Sequence, residues 1–145
     1  MGSEERSIRE YSDRASSTPR LSRGIELFNG GRYWDAHEVW ESEWTLDRKG
    51  AESGFYKGLI QVAAGCLHYT RHNRRGAVNK WRSGADYLRP YLPVHRGVVL
   101  EPLVGTIDGF LAAMRDGEWP ELTMPRIGQE YGGKRLPAPD SINPP

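Results

Sequence analysis

The sequence predicts an all-α protein, a compact multihelical bundle of about five helices, and three observations carry that prediction. Apolar residues recur at three- and four-residue spacing in five segments, each bounded by Gly, Pro or Asn. No strand-like alternation of any length is evident. One segment, residues 55–72, is apolar around most of its circumference, as expected of a central, buried helix.

The elements follow in order. Residues 1–17 are polar and charged, with little to bury, and read as a flexible N-terminal arm. Thr18-Pro19 opens the first helix, a hydroxyl cap followed by Pro at a position where no amide proton is needed. Leu21, Ile25 and Phe28 form its apolar face, and Asn29-Gly30-Gly31 stops it. The second helix runs from about Tyr33 to Leu46, with Tyr33, His37, Trp40 and Trp44 on one face and Glu41 at its edge. The short break makes helices one and two an antiparallel hairpin.

Asp47 to Gly54 is a loop, and the central helix follows. Phe55, Leu59, Val62, Cys66 and Tyr69 line one side of it, and Ile60, Ala63 and Leu67 the next. Its single polar stripe is Lys57, Gln61, His68 and His72. Gly58 and Gly65 beside that stripe cost helix propensity, about 1 kcal/mol each, so they point to close approach by another helix or to room for a ligand. The fourth helix, Ala77 to about Arg89, packs through Ala77, Trp81, Gly84 and Leu88. The fifth starts near Glu101-Pro102 and packs through Leu103, Ile107, Phe110, Leu111 and Met114. Residues 18–119 are expected to form a single helical domain. Residues 120–145 are a Pro- and Gly-rich C-terminal extension, read as a docked strap or a disordered end.

Composition narrows function by exclusion. The 145 residues carry 20 Lys or Arg against 19 Asp or Glu, a balance that argues against a dedicated polyanion binder. One cysteine excludes an internal disulfide framework and a Cys-rich zinc site. No apolar run approaches a membrane span and no signal peptide opens the chain, so the expected compartment is cytoplasmic and the expected partners include no membrane.

The segment Phe28-Asn29-Gly30-Gly31-Arg32-Tyr33-Trp34-Asp35-Ala36-His37-Glu38-Val39-Trp40-Glu41 resembles the signature of the bacterial and archaeal DUF309 family. The resemblance continues through Phe55-Tyr56-Lys57-Gly58-Leu59-Ile60-Gln61-Val62-Ala63-Ala64-Gly65 with His68, and through Asn73-Arg74-Arg75-Gly76-Ala77, covering about residues 20–92. It implies a multihelical bundle around a buried central helix. It implies no activity, since the family is known as a domain of unknown function.

Three classes of chemistry remain. His37-Glu38-x-x-Glu41 departs from the zinc-protease helix motif, which needs His where Glu41 stands. His37 and Glu41 still lie one turn apart. If the polar stripe of the central helix faces helix two, then His37, Glu41, Gln61 and His68 converge in a polar pocket walled by Tyr33, Trp40 and Trp44. The favoured reading is a small helical binding or interaction module with these residues as a buried hydrogen-bonded network. The alternative is a hydrolase or other metalloenzyme using a divalent transition metal (zinc, manganese or iron) on His37, Glu41 and His68, with Glu38 as general base. The third is nucleic-acid binding by Arg71, Arg74, Arg75, Lys80, Arg82 and Arg89 with Tyr69, Tyr87 and Tyr91, extended by Arg6, Arg9, Arg14, Arg20 and Arg23. A solvated face is favoured over it. Association between copies stays open. Trp34, Trp40 and Trp44 are weighed as an aromatic cage against ordinary core, and core is preferred. Cys66, on an apolar face, reads as inert packing.

Overall fold

The structure, a computed structural model, describes residues 18–131 and 134–136; the N-terminal arm and the last residues of the C-terminal extension lie outside the described residues. Among the described residues five α-helices carry the fold: α1 (Pro19–Asn29), α2 (Tyr33–Trp44), α3 (Ser53–Thr70), α4 (Arg74–Leu88) and α5 (Leu100–Ala113). The architecture is the all-α bundle that the periodicity predicts, with α3 packed against both α2 and α4.

Local chemistry sets the helix ends. The Thr18 hydroxyl accepts from the Leu21 amide at 3.1 Å, and Gly31 takes a φ of +80° in the link to α2, a conformation that costs glycine little. α4 starts at Arg74, three residues before its predicted start. The cause is Asn73, whose side-chain oxygen caps the Gly76 amide at 3.0 Å.

Two seams make the core. Between α1 and α2, the fully buried Trp40 lies against Gly24 and donates its indole N–H to the Leu21 carbonyl at 3.2 Å. Between α3 and α4 the glycines allow backbone approach. A methyl group at Gly84 would sit 3.0 Å from both the Gly58 carbonyl oxygen and the Val62 nitrogen. At Gly58 it would strike Leu88 at 2.6 Å, and at Gly65 it would overlap the buried Trp81 ring. The expectation of a close helix approach at Gly58 and Gly65 is met by α4.

The structure adds a small antiparallel sheet that periodicity does not reveal, ordered β1 (Val94–His95), β2 (Val98–Val99), β3 (Gly128–Tyr131), β4 (Lys134–Leu136). Its strands are two to four residues long, too short to show a period of two. β1 and β2 form a hairpin around Arg96-Gly97, both at positive φ, as a tight two-residue turn requires. β3 pairs with β2 through Val98–Gln129 and Val99–Gly128.

The chain before β3 is pinned along the bundle. The Asn29 amide donates to the Ile127 carbonyl and its oxygen accepts the Ile127 amide, at 3.0 and 2.8 Å. Tyr69 donates to the Pro120 carbonyl at 2.8 Å and accepts from the Leu122 amide at 2.7 Å. Ile127 is buried in the core. Asn29, read from sequence only as a helix stop, therefore also anchors the strap.

Candidate functional site: a polar cleft between α2 and α3

Side chains of α2 and α3 enclose an open cleft of about 190 Å³, lined by His37, Glu41, Trp44, Lys57, Ile60 and Gln61. That is below the ~300–1,000 Å³ of pockets for drug-sized molecules, so the occupant it fits is small. The lining alternates by helical phase. His37, Glu41 and Trp44 fall at successive turns of α2; Lys57 and, one turn on, Ile60 and Gln61 share a face of α3.

Its polar groups sit at the rim. His37 retains 20% of its side-chain exposure, Glu41 46% and Glu38 54%. The imidazole Nδ1 lies 3.3 Å from Glu38 Oε1 and 3.5 Å from Glu41 Oε2. The exposed Trp34 ring stacks flat on the other side of the imidazole, 5.2 Å between centroids. One turn beyond Glu41 on α2, Trp44 donates its indole N–H to Ser53 Oγ at 3.0 Å and presents its face to two cations, Arg48 at 5.1 Å and Lys57 at 5.7 Å. The Gln61 side-chain oxygen is shielded from solvent and has no hydrogen-bond partner among the described residues.

The residues singled out from sequence are thus divided. His37, Glu41, Gln61 and Trp44 come together. His68 is not part of the lining: it sits at the C-terminal end of α3, where the Asn73 side-chain amide donates to its Nδ1 at 3.0 Å, beside Gly76 of α4. The reason is axial: seven residues keep Gln61 and His68 close in phase but place them roughly 10 Å apart along α3, so His68 reaches the α3–α4 corner instead of the cleft. His72 is exposed beyond it. Tyr33 and Trp40 do not wall the cleft. Both are core residues, packed on Phe28 from α1 at 5.3 and 6.0 Å. The three tryptophans of α2 form no cage, since one is exposed, one is core and one lines the cleft.

In place of a buried His/Glu/Gln network, His37 and the two glutamates stand at the rim and only the Gln61 oxygen is shielded; among the described residues no polar or charged residue is buried as a whole. Burying a carboxylate would cost several kcal/mol unless it were paired. α2 lies at the edge of the bundle, where Glu38 and Glu41 keep their water. The metal-ligating atoms that do cluster are those of His37, Glu38 and Glu41, all within 4.8 Å of one another. Glu38, expected as a general base, is therefore placed among potential ligands. Cys66 is fully enclosed, and burial pushes its thiol up to about 12, with the Trp81 indole pulling weakly the other way. At neutral pH it is a thiol, without the thiolate that nucleophilic chemistry needs.

One polar constellation was missed from sequence. Glu52, just before α3, bonds His95 Nε2 at 2.6 Å and the Arg96 guanidinium, tying the β1–β2 hairpin to α3. Burial works to raise the Glu52 carboxyl, but the bonds from Arg96 and His95 outweigh it and hold it below the usual carboxylate range. Phe55 and Tyr91 pack edge-on against the His95 ring at 4.7 and 4.8 Å. The only sequence signal was Gly97 within a Val-rich stretch, which marks a turn and not its partner.

Fold and cleft together define a small helical bundle with a polar groove along its central helix. Residues 21–79 match the model of the family described as Domain of unknown function (DUF309), so this segment is similar to that family. The match contains α2, the whole of α3 and every cleft residue. No curated protein matches the chain significantly. Among the described residues, no helix is long and apolar enough to cross a membrane.

Proposed function

We propose that the chain is a small helical binding module whose recognition site is the α2–α3 cleft. The observation that carries this reading is the Gln61 side-chain oxygen, shielded yet unpartnered among the described residues, in the wall of an open pocket. A buried acceptor without a donor costs ~1–3 kcal/mol, and such groups in native proteins call for a reason. A ligand N–H or O–H reaching into the cleft supplies one. Glu41 and Lys57 offer it opposite charges, and Trp44 offers a flat apolar wall. The matching ligand is a small polar molecule with both a donor and an anionic group, such as an amino acid or a hydroxy acid.

The test is a titration of ¹⁵N-labelled full-length protein with a panel of amino acids and hydroxy acids. Saturable shifts centred on Gln61, Lys57 and the Trp44 indole are expected for at least one compound, and their loss in Gln61→Met. Shifts scattered over the surface, or none in the panel, would reject the reading.

A second reading rests on a separate observation, the convergence of His37, Glu38 and Glu41. One imidazole and two carboxylates are a reasonable donor set for a divalent transition metal, with positions left for water or substrate. Zinc or manganese would then raise the melting temperature of chelator-treated protein. His37→Gln would abolish that rise, while His68→Gln would leave it intact. A response requiring His68 would restore the ligand set expected from sequence.

A further inference from the structure

Charge along this nearly neutral chain is segregated. From Ser53 to Ala85 there are six cations, Lys57, Arg71, Arg74, Arg75, Lys80 and Arg82, and no Asp or Glu. The preceding stretch, Tyr33 to Glu52, holds six acids and two cations. α4 therefore presents a local basic surface that the net charge conceals.

The structure sorts these cations. Arg74 is committed, donating to the carbonyls of Met114 and Glu118. Arg89 is committed too, paired with Asp86 and Asp108. Lys57 lies over the Trp44 and Tyr87 rings. Arg71, Arg75 and Arg82 are exposed and make no ion pair among the described residues. Arg75, Asn79 and Arg82 are spaced as one exposed stripe of α4, with Arg71 just ahead of it in the α3–α4 turn. Two arginines in the first turn of a helix oppose its dipole, so helix stability does not explain their position.

At the same end of α4 stands an aromatic platform. Trp119 keeps 36% of its surface exposed and stacks on Tyr69, 4.8 Å between centroids and 18° between planes. His72, at φ +58°, brings its ring to 5.7 Å from Trp119. The tyrosines considered from sequence do not serve this role: the hydroxyls of Tyr69 and Tyr91 are tied to backbone groups, and Tyr87 lies under Lys57.

An unpaired arginine stripe leading to an exposed, backed tryptophan matches the chemistry of a flexible strand carrying phosphates and flat bases. We infer that the outer stripe of α4, with Trp119 at its N-terminal end, binds single-stranded nucleic acid: Arg71, Arg75 and Arg82 contact phosphates and Trp119 stacks a base. This surface is separate from the α2–α3 cleft and does not depend on the cleft's ligand.

Fluorescence anisotropy of full-length protein with labelled oligothymidylate and oligouridylate of about ten nucleotides tests it. Affinity should fall with salt with a log–log slope near −2, for three phosphates at about −0.7 each. Arg75→Glu with Arg82→Glu should weaken binding at least about tenfold and flatten that slope. Trp119→Ala should weaken it about tenfold with the slope retained. Arg23→Glu on α1 should change neither. Because Trp119 also packs on Tyr69, the arginine pair decides if Trp119→Ala perturbs folding. No binding at low salt, unchanged binding by the double arginine variant, or equal affinity for duplex DNA or polyglutamate would overturn the inference.

Discussion

The two sides of α3 are built on opposite terms. Towards α4 it is sealed: Gly58, Gly65 and Gly84 bring the backbones together, and Leu88 and Trp81 fill what remains, although the Trp81 indole N–H also lacks a hydrogen-bond partner among the described residues. Towards α2 it stays open along Lys57, Ile60 and Gln61, with a shielded acceptor lacking a partner among the described residues. One helix thus carries a seam optimised for packing and a cleft that is not. The sealed side is built for packing, and the open side is where the proposed binding module would admit its ligand.

The largest effect belongs to the sealed side. Trp81→Ala should cost ~3–5 kcal/mol, the range for deleting a fully enclosed aromatic, read by urea denaturation. A smaller loss would mean the seam can collapse around the void. Next is Gly84→Ala. Its new methyl would meet backbone atoms of Gly58 and Val62, which cannot rotate away, so a loss of ~1–3 kcal/mol is expected. An unchanged midpoint would show the helices free to separate.

Glu52 comes third and tests a pH dependence. Its folded carboxyl titrates below its ordinary value, so its contribution is fully present above the unfolded carboxylate pKa of ~4.3 and is lost as pH falls through the folded value. Glu52→Gln should therefore lower the melting temperature at neutral pH by a few degrees and less below pH ~4. A deficit that grows on acidification would reverse the sign and refute the assignment. Smallest is the open side: His37→Ala should change stability by less than ~1 kcal/mol, because a rim histidine with exposed carboxylate neighbours contributes little. A loss of several kcal/mol would restore the buried network expected from sequence.

Legibility in the sequence divides along the same line. The apolar faces of all five helices could be read, because burial stamps a period on residues such as Leu21, Ile25 and Phe28 or Ala77, Trp81 and Leu88. Half the site could be read as well: His37 and Glu41 share a helix, and Gln61 sits on a nearly apolar one. What failed was the arrangement between helices. Phase within α3 groups Gln61 with His68, but the crossing with α2 and α4 decides that they face different neighbours. The same ignorance put Trp40 at the pocket wall, when its partner is Gly24 of α1. The strands are too short to show a period, β2 meets β3 only across some thirty residues, and the Glu52–His95–Arg96 cluster depends on contacts across more than forty. Trp119 gained its role only through Tyr69 and His72, which spacing alone could not bring to it.

The central claim is that the open side of α3 keeps a polar atom in place at some cost to stability. Urea denaturation of Gln61→Met against the wild type, without added ligand, tests it most directly. Methionine keeps the length of the side chain and removes the shielded acceptor, so the midpoint should rise, by about 0.5–1 kcal/mol, with an unchanged m-value. A fall of 1 kcal/mol or more would mean the Gln61 amide holds the fold together, and the cleft would lose its claim to be a site kept for binding.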